Sequence, residues 1–138
     1  MATIHTSAVP IGRGGNRWLW AAQFLLCVGF VVIGLMKVLM SIPALAAMWP
    51  WAGELPEPIV RLLGMFDIAG GVGVFAPMLT GIRPRLTVLA AAGCAALQVC
   101  AMIFHTSRGE FGGLPVNAVF LALAVIIFMG RRKSSDAG

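Results

Sequence analysis

Few residues in this sequence can do chemistry, and most of them sit where polar groups are expensive. Lys37, Asp67, Gln98, His105 and Asn117 lie within or at the ends of long apolar runs, and Arg61 stands at the mouth of one. Inside a bilayer an ionisable side chain is costly enough to suggest a site, a proton relay or an ion pair. A carboxylate such as Asp67 needs an opposite charge there. Lys37 is the obvious partner if its stem leans toward the acid rather than toward the headgroups. His105 and Asp67 could carry protons and Lys37 or Arg61 could polarise a carbonyl, in a shared polar site to which Gln98 and Asn117 also belong. Each has a plainer reading. Lys37 could be a snorkelling helix-end residue, Asp67 a structural partner of Lys37 or Arg61, and His105 an interfacial side chain. Gln98 and Asn117 could be interhelical hydrogen-bonding groups. Cys27, Cys94 and Cys100 are odd in number, form no C-x-x-C pair and read as small buried hydrophobes. No metal-ligand spacing appears.

The elements that carry these residues follow from composition. Of 138 residues 59% are hydrophobic and 11% charged, with a mean hydropathy of +0.94. Soluble domains carry about a quarter charged residues, so this chain lacks the polar surface that a small water-soluble globule needs. A soluble enzyme and a disordered chain are both excluded. The net charge of +5 is scattered between apolar runs rather than gathered on one face, which argues against nucleic acid as a partner.

Four runs span residues 18–40, 59–79, 86–104 and 114–130. Each is near the roughly 20 residues that cross a bilayer core, and in lipid a spanning backbone must be helical. The expected fold is all-α, a four-helix transmembrane bundle over residues 18–130. Residues 1–17 should form a mobile tail and 131–138 a basic one. The first run exceeds a signal-peptide apolar region and reads as a retained span. Lys and Arg concentrate in the N-terminal segment, in the 79–86 link (Arg83, Arg85) and at Arg131, Arg132 and Lys133. By the positive-inside rule both termini are cytoplasmic and the chain is a multi-pass inner-membrane protein. The outer loop 41–58 should be stiff and irregular through its prolines, with Trp49 and Trp51 at headgroup depth. In this topology Lys37, Arg61, Asp67, Gln98, His105 and Asn117 all fall in the outer half, Asp67 about 12 Å deep. The inner half holds Gln23 and little else that is polar. This asymmetry suggests an outward-facing polar pocket. The glycines of the second run and the alanines of the third read as close-packing positions.

Gly34-x-x-Lys37, the Pro/Trp loop, Leu63-Gly64-x-x-Asp67-x-x-Gly70-Gly71, Phe104-His105-x-x-x-Gly109-Glu110 and Gly130-Arg131 together resemble the DoxX-like family of small membrane proteins, over about residues 20–132. The resemblance implies a four-helix bundle with a redox association, since relatives include a subunit of a thiosulfate:quinone oxidoreductase and members of oxidative-stress complexes. Lys37 looks like the family's first-helix lysine. Asp67 stands where many members have the longer glutamate, and His105 matches the histidine before the Gly-acid pair. The expected function is an accessory or redox-associated subunit, with the lipid bilayer and a redox protein as partners and a homo-oligomer as one assembly. Autonomous catalysis is disfavoured, because the sequence offers no haem ligand pair, nucleotide motif or dithiol. No cofactor is predicted beyond a quinone as candidate ligand. The alternatives are a small four-helix transporter and a membrane scaffold without a ligand.

Overall fold

The computed structural model describes residues 13–80 and 84–136. These form six helices: α1 (Arg13–Leu39), α2 (Ile42–Met48), α3 (Trp51–Glu54), α4 (Glu57–Thr80), α5 (Pro84–Ser107) and α6 (Leu114–Asp136). Among the described residues there is no strand. The long helices α1, α4, α5 and α6 each contain a segment long and apolar enough to cross a membrane. Their outer faces expose Trp18, Leu39, Leu89, Ile103 and Val119, a surface that is stable against lipid and not against water. The protein is a multi-pass membrane protein. α1 packs on α4, α4 on α5, α5 on α6, and α6 closes the ring against α1.

Several boundaries differ from the sequence reading. α1 starts at Arg13, so part of the stretch expected as a tail is helical, while residues 1–12 lie outside the described residues. α6 continues through Arg131, Arg132 and Lys133 to Asp136, so the expected basic tail is mostly a helical extension; residues 137–138 and Arg83 also lie outside the described residues. The 41–58 loop is not irregular. Ser41 caps α2, its Oγ accepting from the Ala44 N–H, and Pro43 occupies the first turn, where a missing N–H does no harm. A helical turn, α3, follows Pro50.

Glycine sets how closely α1 and α4 approach. A Cβ added to Gly34 would stand 2.6 Å from the Gly64 carbonyl oxygen, and one added to Gly64 would stand 2.7 Å from that of Gly34. The two backbones therefore touch, as small residues permit in lipid. Seven residues away on each helix, Gly71 lies against the Cys27 carbonyl. This two-turn step is the period of long helices crossing at a shallow left-handed angle. Similar contacts fix the other heights: Gly70 and Gly73 against Cys94 and Ala90, Gly29 against Phe120, and Gly130 against Leu19.

An alanine at Gly34 or Gly64 must force the helices apart. Gly34→Ala and Gly64→Ala are each expected to lose about 1–3 kcal/mol in reversible unfolding from mixed micelles. Gly93→Ala, whose added methyl meets nothing within 4 Å, should be neutral in the same measurement.

Candidate functional site

The bundle is layered. Toward the end where α1 begins and α6 ends, Leu26, Phe30, Val74, Ala91, Cys94, Ala124 and Ile127 form an apolar core. At the opposite end Leu45, Trp51, Ala52 and Val60 form a second, joined by Met36, Met40, Leu63 and Phe104. A polar layer lies between them. The glycine contacts give its level: Asp67 is three residues above Gly70, and Gln98 is four above that glycine's neighbour Cys94. By the same reckoning, through Gly71–Cys27 and Gly29–Phe120, Asp67 and Asn117 stand opposite Val31 and Val32 of α1. Asp67 of α4, Gln98 of α5 and Asn117 of α6 thus share one height to about one residue, or ~1.5 Å.

α1 supplies the fourth member from above. Side chains lean toward the start of their own helix, and α1 and α4 are antiparallel, so Lys37 leans down and Asp67 leans up. Lys37 Nζ meets Asp67 Oδ2 at 2.7 Å, with the two side chains 14% and 10% exposed. The lysine points inward, not toward the headgroups, and its ammonium also lies 5.5 Å from the Trp51 ring centroid, within cation–π range.

These residues line a cavity of about 800 Å³, within the size range of small-molecule sites. Lys37, Asp67, Gln98, His105, Glu110 and Asn117 give it polar groups, and Phe30, Trp49, Trp51, Phe104 and Phe120 give it aromatic walls. Phe30 and Phe120 meet edge to face beside the lower core. Gln98 Oε1 and Asn117 Nδ2 are buried without a hydrogen-bond partner.

The roof comes from α2, α3 and the turn after α5. Trp51 is only 7% exposed. It stacks with Trp49 and packs edge-on to Phe104 and His105. The ring is therefore packed among protein side chains in the roof of the bundle. α5 ends in a Schellman motif: the Glu110 N–H bonds the His105 carbonyl, the Gly109 N–H bonds that of Thr106, and Gly109 takes φ +71°. This turn returns the Glu110 carboxylate to His105 Nδ1 at 3.2 Å. Arg108 then bridges Glu110 and, across to α3, Glu54. Hydrogen bonding from Arg108 above all, and from His105, holds the Glu110 carboxyl below its ordinary range.

Of the six residues singled out from sequence, five line the cavity and Arg61 does not. Arg61 Nη1 donates to the Lys37 and Met40 carbonyls and its Nη2 pairs with Glu57. α1 ends with carbonyls that lack helical partners, and Arg61, opposite that end, satisfies them. It caps a helix and is not a partner of Asp67. Cys100 lines the cavity and is exposed, contrary to the buried expectation. Sequence reading also missed Arg131, taken for a topology signal. It is 5% exposed, donates from Nε to Gln23 Oε1 at 2.8 Å and lies over Trp20. Gln23 in turn donates to the Val74 carbonyl. The inner half is therefore not bare of polar groups.

Breaking the Lys37–Asp67 pair leaves one charge stranded. Lys37→Met or Asp67→Asn alone should lose about 3–5 kcal/mol of stability, and the Lys37→Met/Asp67→Leu double variant should recover most of it. Unfolding of all three in mixed micelles checks this, and additive losses would contradict the coupling.

A sequence model of the DoxX-like family matches residues 21–127. No curated protein and no solved structure matches the chain.

Proposed function

This chain belongs to the DoxX-like family, and we propose that it is an accessory subunit of a membrane redox system. In this reading its cavity holds a lipid-soluble ring compound of the quinone class, which a partner protein reduces or oxidises. The observation that supports the reading best is the meeting of aromatic walls with one polar side chain from each spanning helix, in a space large enough for a substituted ring. The Lys37–Asp67 pair is neutral as a unit, so the layer favours an uncharged occupant over an inorganic anion. The amide side chains of Gln98 and Asn117 belong to residues that line the same space and can hydrogen-bond a ring substituent. A bound quinone would supply two-electron, two-proton chemistry; the chain's own part is to bind the ring, orient it through Asn117 and shield it under Trp49 and Trp51. The His105–Glu110 contact lies on the same cavity and can hold a proton near the mouth.

Charge supports an orientation. At the roofed end Lys37, Arg61 and Arg108 are all paired with acids, whereas Arg17, Arg85 and Arg132 are exposed at the other end. This supports the reading of the chain as an inner-membrane protein with both termini in the cytoplasm and the cavity in the outer leaflet.

Two measurements test these readings. In nanodiscs, decylbenzoquinone is expected to quench tryptophan emission saturably, and Asn117→Leu should weaken that binding about tenfold. Quenching no greater than partition into the lipid predicts would overturn the ligand assignment. Alkaline phosphatase fused after Asp136 should be inactive and one inserted after Gly112 active; the reverse pattern would overturn the orientation.

A further inference from the structure

Two antiparallel helices that touch at one level can part above it. α1 and α6 meet at Gly29, where an added Cβ would stand 2.6 Å from the Phe120 ring. Four residues nearer the roof on each helix, Ile33 comes opposite Val116. There the helices are separated, because both residues line the cavity and Val116 is 53% exposed. A side chain that borders a cavity and is also open to the surroundings stands on its rim. The space continues upward: Gly112 and Gly113 line the cavity too, and a Cβ on either would meet nothing within 4 Å. Ile33 lies about 9 Å below the end of α1. It and Val116 belong to the membrane-spanning segments of their helices, so hydrocarbon surrounds this rim. The side chains on it do not ionise. The ionisable groups of the lining, Lys37, Asp67, His105 and Glu110, come from α1, α4, α5 and the turn after α5.

We propose that this gap is a lateral portal through which the cavity takes an amphiphile from the bilayer. The polar ring lodges in the cavity, and a hydrocarbon tail passes out between Ile33 and Val116, above Phe120, into lipid. The proposal rests on the reading of the cavity as a ring-binding site and adds the tail, its exit and the route of entry. The energetics favour this division. Lipid is as apolar as a protein interior, so enclosing a tail gains little. A polar ring substituent, by contrast, finds in the cavity hydrogen-bonding groups that hydrocarbon lacks. Only the ring therefore needs enclosing, and a cavity of about 800 Å³ serves a molecule much larger than itself. Entry from water would strip the tail from lipid, at a cost that grows with every methylene. The roof agrees with entry from the side. Trp51 is buried there, and Arg108 ties the turn after α5 to Glu54 of α3. The floor of the gap is firm, since Phe120 rests on Gly29 and meets Phe30 edge to face at 5.5 Å.

Three probes decide the matter in the full chain in nanodiscs: decylbenzoquinone, a long-chain isoprenoid benzoquinone too large for the cavity to enclose, and the same ring without a tail. Each affinity is referred to the concentration of probe in the lipid. The two tailed probes should bind the wild-type chain alike, within about threefold, because their tails lie outside. Val116→Trp places an indole in the gap. It should weaken both tailed probes about tenfold and leave the tailless ring bound as before, which also shows that the variant folds. Val125→Trp, at an exposed position on α6 outside the lining, should change nothing. Exclusion of the long-chain probe from the wild-type chain would overturn the portal and leave the ring-binding reading intact. So would tailed binding that Val116→Trp does not alter, or an equal loss of all three probes in that variant. Binding of no probe would remove the ring-binding reading and this proposal with it. The comparison within the wild-type protein stands even if Val116→Trp fails to fold.

Discussion

Two opposite charges held together inside an apolar bundle impose the strictest condition on this protein. An ammonium and a carboxylate taken out of water gain from each other only if they meet at hydrogen-bonding distance, and otherwise their desolvation dominates. Lys37 and Asp67 meet at 2.7 Å because α1 and α4 touch backbone to backbone at Gly34 and Gly64, and because antiparallel helices tilt these two side chains toward each other. The glycines, the helix direction and the ion pair form one device. Each glycine precedes its charged residue by three positions, so close approach and charge meet on nearly the same face of each helix. Arg61 completes the device by satisfying the carbonyls at the end of α1, which frees Lys37 from any competing capping role.

That condition also explains the layering. An apolar core on each side of the pair excludes water, strengthens the attraction and leaves the cavity as the place where polar side chains from four helices meet. A second polar layer at the opposite end, Gln23 with Arg131 and the Val74 carbonyl, is filled by the protein's own groups. The inner layer closes on its own side chains and backbone, and the outer one borders the cavity.

Much of this was legible in the sequence. Run length and composition gave the four spanning helices, because lipid leaves the backbone no alternative. The spacing of Lys37, Asp67, Gln98, His105 and Asn117 along those runs placed them at one end, and five of the six candidates line one cavity. Direction was not legible. A lysine stem can turn inward or outward from the same backbone position, and only the glycine contact with α4 decides it. Arg61 and Arg131 carry the same charge as their neighbours, and what distinguishes them is a carbonyl or an amide contributed by a distant helix. The 41–58 segment looked irregular because prolines break helices in general. At first-turn positions they instead help helices begin, and that position is visible only once Ser41 is seen to cap. Trp51 looked like an interfacial anchor because indoles favour that depth, but the core beneath it buries the ring.

The roof has a consequence for how the chamber is closed. Glu54 belongs to α3, whereas Arg108 and Glu110 share the turn after α5, and the guanidinium of Arg108 grips both carboxylates. The bond to Glu110 stiffens that turn from within, and the bond to Glu54 ties it to α3, beside the packing of the Trp51 ring on Phe104 and His105.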